Sequence, residues 1–274
     1  MNNYDFSVCM SVYKMDKPCD LVTAVYSIWH QTCPPNEIVL VIDGPISEML
    51  ESTIDELNKS ISALRVIRLE CNMGHAIARQ RALLEAKNEL CAIMDSDDIS
   101  VPKRFEKQLQ VFAHDADVRV VGGLINEFVH DTDNIVGSRI VPETDSEIKR
   151  YLKSRCPMNL VTVMLKKSDI LNVGGFLDWF CEEDYYLWIR MMLADYKFYN
   201  IQENLVNVRV GEEMYQRRGG LKYFKSEVRI QKLMFDKNII SFSLFLYNVI
   251  IRWIVQVVLS NKMRGWVFQK IARK

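Results

Sequence analysis

Through the first half of the chain, short apolar runs alternate with stretches whose apolar residues recur every three or four positions. This is the pattern of βαβ units around a largely parallel sheet. Residues 6–12 read as a first strand, followed after Asp20 by a helix with Leu21, Ala24, Val25, Ile28 and Trp29 at helical spacing. Residues 37–42 form a second strand that stops at Asp43-Gly44, and Leu50, Ile54 and Leu57 mark one side of the next helix. A third strand at 64–69, a helix at 74–87 and a fourth strand at 90–95 continue the alternation. Pro102 suits the first turn of a helix carrying Phe105, Leu109 and Phe112, and residues 118–129 read as a strand interrupted at Gly122-Gly123.

Beyond this the period loosens. The pattern predicts a helix over 144–154, a strand over 160–165, a turn at Gly174-Gly175, a helix over 182–194, a strand or two through Val210 and a helix over 219–235. No Pro/Gly/Ser-rich linker or internal repeat divides the chain. The expectation is one α/β domain over 1–236, doubly wound around a Rossmann-like sheet, with a distinct helical section over 237–274.

Three strand ends carry the candidate chemistry. The fourth strand stops in Asp95-Ser96-Asp97-Asp98, three carboxylates in four positions. Ligands of open α/β sheets sit at the carboxyl ends of strands, and crowded carboxylates repel unless a cation joins them. Hard oxygen donors select Mg²⁺ or Mn²⁺, which take further ligands from water and substrate phosphates. A solvated acidic turn is the plainer reading of the same four residues. Asp43 ends strand two, Asn72 to Gly74 follow strand three, and Arg79 and Arg81 lie in the next helix, where one could reach a diphosphate while Arg81 also suits a solvated face. Together these ends describe a nucleotide-sized crevice.

Composition narrows the class. The 274 residues are 49% apolar, enough for a substantial core, and Lys plus Arg equals Asp plus Glu at 35 each, so there is no global attraction to nucleic acid. Seven cysteines without a C-x-x-C pair read as reduced core residues of a cytoplasmic protein, and Met1 to Asp5 shows no secretory pattern.

Taken in order, Phe6 to Tyr13, Ile38 to Gly44, Asn72-Met73-Gly74 with Ala78-Arg79, Met94 to Asp98, and Glu183-Asp184-Tyr185 leading to Trp188 resemble the family 2 inverting glycosyltransferases of GT-A fold. The likeness is to bacterial enzymes of O-antigen and other surface polysaccharides, among them β1,3-galactosyl- and glucosyltransferases. The resemblance implies that Asp43 bonds the uracil of a UDP-sugar in a pocket lined by Ser11 and Tyr13. It further implies that Asp95 faces the ribose and the metal shell, that Asp97 ligates Mn²⁺ or Mg²⁺, and that Asp98 holds the donor sugar or the loop. Arg79 would lie near the uridine or diphosphate, Asp184 would be the catalytic base, and Glu183 and Trp188 would meet the acceptor. Many relatives present a late histidine to the metal, but all four histidines here precede Asp184, which leaves Glu212 or Glu213 as extra ligands. Arg217 and Arg218, with Arg209 nearby, suit a loop closing over the diphosphate.

A helix over 182–194 places Asp184 on a face with Leu187, Trp188 and Met191, turned toward packed protein. An ordinary acidic first helical turn accounts for Glu182, Glu183 and Asp184 equally well. The competing functional classes are a nucleotidyltransferase, against which residues 11–16 contain no glycine for a triphosphate loop, and a noncatalytic nucleotide-sugar-binding scaffold.

Residues 239–259 are long enough to cross a bilayer, yet Ser241, Asn248, Arg252, Gln256 and Ser260 form a polar stripe, and Arg252 at mid-span would cost about 2.5–3.5 kcal/mol. After Asp236 there is no acidic residue, while Lys237, Arg252, Lys262, Arg264, Lys270, Arg273 and Lys274 are basic and Trp253 and Trp266 are aromatic. The expectation is peripheral contact with the cytoplasmic face of an inner membrane carrying a lipid-linked saccharide acceptor. A helix packed on the catalytic core and a true span are the alternatives.

Overall fold

A computed structural model describes residues 5–211, 219–259 and 263. The first four strands, β1 (Phe6–Val12), β2 (Glu37–Ile42), β3 (Leu64–Arg68) and β4 (Leu90–Ile93), are parallel to one another, in the order β3, β2, β1, β4. Helices α1 (Pro18–Trp29), α2 (Glu48–Ser60) and α3 (His75–Glu85) make the crossovers. Every residue of β2 is buried, as a central parallel strand covered on both faces requires. Alternate β1 residues feed two cores: Phe6, Val8, Met10 and Val12 pack with α1 and α2, while Cys9 packs with α3 residues Ala78 and Ala82. The predicted Leu50, Ile54 and Leu57 are the buried side of α2, which Ser47 caps by accepting from Leu50 N (3.3 Å).

The sheet continues through the second half. It adds β5 (Ile99–Ser100), β6 (Val118–Phe128), β7 (Ile135–Arg139), β8 (Met164–Lys166) and β9 (Lys197–Arg209), with β8, β6, β9 and β5 following β4 in order and β7 pairing with β6. By paired residues it is mostly parallel, because β6 and β9 run together along almost their full length. Between them come α4 (Arg104–His114), α5 (Asp145–Leu152), α6 (Lys167–Asn172) and α7 (Glu183–Leu193). The interruption predicted at Gly122-Gly123 is a register shift against β9 where neighbouring side chains close on the strand. A Cβ on Gly122 would stand 2.5 Å from Asn200 Oδ1.

Three expectations change. The strand predicted over 160–165 is a 3-10 turn (Leu160–Thr162) before a three-residue strand. Thr162 Oγ1 donates to Asn159 O (2.7 Å) and accepts from Gly123 N (3.0 Å), so a local side-chain bond replaces ladder pairing. The short β5, β7 and α6 carry too few residues to show a period. The cysteines are free, but only Cys9 and Cys91 are core residues, and Cys19, Cys71 and Cys181 are exposed.

Two last helices, α8 (Leu221–Asp236) and α9 (Phe242–Trp253), complete the described chain, α9 running on into a π turn at Ile254–Val258. No described helix is long and apolar enough to cross a membrane. From Asn248 to Gln256 the polar stripe of this section is turned inward, while Ser241 is exposed. Asn248 Nδ2 donates to Lys153 O (3.0 Å) and Gln231 Oε1 (2.8 Å), and Arg252 donates to Ser154 O (2.7 Å) and pairs with Glu227. Ser260 and Trp266 lie outside the described residues.

Candidate active site

The carboxyl ends of β1, β2 and β3 enclose a small cavity of about 110 Å³ lined by Ser11, Val12, Tyr13, Asp43, Asn72, Gly74 and His75. Asp43 organises it. Its two carboxylate oxygens accept from Met73 N (2.6 Å) and Gly74 N (2.9 Å), and Asn72 Nδ2 donates to its carbonyl (3.1 Å). Gly44 makes the turn possible at φ +85°, where a Cβ would collide with the backbone of Asn72. A carboxylate has about four lone-pair sites, so two remain for a ligand's N–H. Tyr13 packs edge-on against His75, with ring centroids 5.9 Å apart. Ser11, Tyr13 and Asp43, grouped by the family resemblance, therefore share one cavity, and His75 joins them.

The acidic segment after β4 is divided among different partners. Asp98 is buried, its Oδ1 accepting from Arg209 N (2.9 Å), and burial followed by the neighbouring Asp97 and Asp95 pushes its carboxyl well up. Asp97 is raised to about 6, by burial first and then by Asp95 and Asp16. Asp16, which no motif had singled out, fastens this segment to the end of β1. Its Oδ2 accepts from Tyr13 N and Ser96 Oγ, both at 2.9 Å. Among the described residues no group of three or more metal-ligating side chains converges. The chemistry of the donors still fits a hard divalent cation that takes one or two carboxylates and leaves its other positions to phosphate and water, because Asp97 is a partly exposed carboxylate held among like charges.

Arg79 joins this segment to the one that follows Glu182. Its Nη2 meets Asp95 Oδ1 at 2.9 Å and its Nη1 meets Glu183 Oε1 at 2.8 Å. The residue is 7% exposed and braces two carboxylates. Glu183 is correspondingly engaged by Arg79. Arg81 has the solvated role, pairing with Glu85 one turn on. Arg209 is also a brace. It bonds Asp97 O (3.2 Å) and His130 O (3.0 Å), pairs with Asp20 (3.1 Å) and lies over the Phe128 ring.

Asp184 occupies the second position of α7, partly buried. Its Oδ1 accepts from Tyr185 N (2.7 Å) and its Oδ2 from Cys156 Sγ (3.5 Å), a contact between residues 28 positions apart that sequence spacing does not reveal. Burial pushes the Cys156 thiol up, and Asp184 adds to it, so it stays a protonated donor. Trp188 is corrected. It is wholly buried against Phe198, because its place one turn beyond Asp184 turns it into the core, and it cannot meet an acceptor. Glu212, Glu213, Arg217 and Arg218 lie outside the described residues.

Residues 7–177 match the model of "Glycosyl transferase family 2". The chain is 34% identical to the UDP-Gal:alpha-D-GlcNAc-diphosphoundecaprenol beta-1,3-galactosyltransferase of Escherichia coli, over 98% of this chain and 97% of that protein. It is 28% identical to the E. coli UDP-Glc:alpha-D-GlcNAc-diphosphoundecaprenol beta-1,3-glucosyltransferase WfgD, over 70% and 71%. Among solved structures it resembles the mannosyltransferase PcManGT of Pyrobaculum calidifontis in complex with GDP-Man and Mn²⁺. That likeness has a TM-score of 0.64 at 15% identity and covers 94% of this chain and 71% of that one, which places the fold with the GT-A glycosyltransferases. With a family match over more than half its length and a relative aligned nearly end to end, the chain is a glycosyltransferase and belongs to glycosyl transferase family 2.

Proposed function

We propose that this enzyme transfers a hexose, galactose or glucose, from a UDP-sugar to a saccharide carried on a polyprenyl diphosphate, with inversion at the anomeric carbon, in the assembly of a surface polysaccharide such as O-antigen. Peripheral contact through residues 237–274 with the cytoplasmic face of the membrane holding that acceptor belongs to the same reading. The observation that carries it is the Arg79 brace, which sets the Asp95 to Asp98 segment beside the Glu183-Asp184 pair. The donor specificity of the two E. coli relatives supports galactose or glucose, and their acceptors support the lipid diphosphate.

In this reading the cavity of Ser11, Tyr13 and Asp43 receives uracil, with the free lone pairs of Asp43 accepting an N–H. Asp97, with Asp95, would hold Mn²⁺ or Mg²⁺, which would supply positive charge to neutralise the departing diphosphate. Asp98 stays in the loop, its carboxyl fixed by Arg209 N. Asp184 takes the proton of the attacking acceptor hydroxyl. Cys156 and Tyr185 N hold its two oxygens in place, and a base so positioned contributes roughly 10²–10⁴-fold. A single displacement then turns an α-linked donor into a β-linked product.

The test is Asp184→Asn assayed with UDP-galactose and UDP-glucose, a lipid-diphosphate GlcNAc acceptor and Mn²⁺. Turnover falls by about 10²-fold or more while UDP affinity by calorimetry is unchanged. Turnover within a few-fold of the unsubstituted enzyme would remove Asp184 from the role of base.

A further inference from the structure

Helix α9 is packed inside out for a helix facing water. Asn248 and Gln256 are 3% and 4% exposed, and Arg252 is drawn inward to Glu227 and Ser154. What remains outside is apolar: Phe242, Leu246, Tyr247, Ile250, Trp253 and Ile254 are each more than 40% exposed. Steps of three and four residues align them along one side of the helix. Scattered exposed apolar residues are ordinary, but a continuous row of them marks an interaction surface.

Charge selects the occupant. From Lys237 to Lys274 the chain has seven lysines and arginines and no acidic residue. A second copy would bring a second segment of the same charge into one assembly. An anionic bilayer answers both features, with acyl chains for the apolar row and headgroups for the net positive charge of the sequence that contains it. The anchoring of Arg252 keeps the helix flat on that surface, because insertion across it would break a buried ion pair.

The inward side gives this seat a bearing on the active site. Asn248 and Arg252 hold the carbonyls of Lys153 and Ser154, just before Cys156. On α8, Ser226 Oγ donates to Phe180 O (2.6 Å) and its carbonyl accepts from Trp179 Nε1 (3.4 Å), just before Asp184. We infer that the outward face of α9 is a docking surface for an anionic lipid bilayer, and that its inward face ties the segment before Cys156 to that seat while α8 holds the segment before Asp184. This rests on the reading that the acceptor is lipid-linked, and it adds the face and orientation by which the enzyme meets it.

The experiment is flotation of the full chain with vesicles of phosphatidylcholine alone or mixed with phosphatidylglycerol, comparing the unsubstituted protein with Leu246→Gln/Ile250→Gln. Both positions are exposed, so the variant folds, which its melting temperature checks. The unsubstituted protein floats with the anionic vesicles and loses them at high salt. The variant partitions at least about tenfold less, while its transfer to a water-soluble acceptor is unchanged. Failure to float with either vesicle, or equal flotation of the variant, overturns the proposal. So does a dimer in light scattering that the variant converts to monomer, since the face then belongs to a second copy. Flotation needs no turnover, so absence of sugar transfer with every donor would overturn the catalytic reading and leave the docking result standing.

Discussion

Arg79 and Glu183, 104 residues apart in sequence, meet at 2.8 Å, and the other arm of the same guanidinium holds Asp95 at 2.9 Å. The enzyme thereby uses one buried cation to join the segment expected to face the donor to the helix that carries the candidate base.

Arg79→Met would leave Glu183 and Asp95 without a counter-charge. Removing one partner of a buried pair costs about 3–5 kcal/mol, with the lower end fitting here because Asp95 is partly exposed. Chemical denaturation should show that loss, and turnover should fall more steeply than the folded fraction. Arg79→Lys keeps the charge but cannot span two carboxylates with a planar fork, so it should recover much of the stability and little of the turnover.

Burial and like charges raise Asp97 to about 6 in the folded state, against about 3.9 for a free aspartate. The folded protein therefore binds more protons than the unfolded chain between those values, and the contribution of Asp97 to stability falls as pH rises from about 4 to 6. A divalent cation relieves the penalty where the group is ionised. Melting curves should show an Mn²⁺-induced rise of several degrees at pH 7 that shrinks toward pH 5. Asp97→Asn should melt higher than the unsubstituted protein at pH 7 without metal, and should lose most of the Mn²⁺ response.

The Arg252 and Glu227 pair stands beside Glu182, whose carboxyl is pushed up by burial and then by Glu227. Arg252→Met should cost about 3–5 kcal/mol by exposing Glu227 to no counter-charge, whereas Arg252→Met/Glu227→Met should come back to within about 1 kcal/mol of the parent. Equal losses in the single and double variants, read by urea denaturation, would show that the pair contributes through packing alone.

The parallel half of the sheet was legible because its strands are continuous apolar runs that end in polar punctuation. In 90–98 the same run announced both the strand and the acids at its end. Asp43 was legible for a related reason, since topology sends the ends of adjacent parallel strands to one edge, whereas Ser11 and Tyr13 were named only through the family resemblance. The 3-10 turn at Leu160–Thr162 was not, because a hydroxyl bond to Gly123 decided it, and that partner is 39 residues away.

By itself, the sequence determined the α/β class, the order of the early elements and the positions where carboxylates gather, all of which follow from local period and from the ends of runs. Only the tertiary structure decided which carboxylates are already engaged, that Cys156 attends Asp184 and which way the stripe of α9 points. The reason is that a side chain's surroundings depend on what packs opposite it. The row of Asn248, Arg252 and Gln256 is equally polar whether it faces water or protein, until Glu227, Gln231 and Ser154 arrive from elsewhere in the chain to receive it.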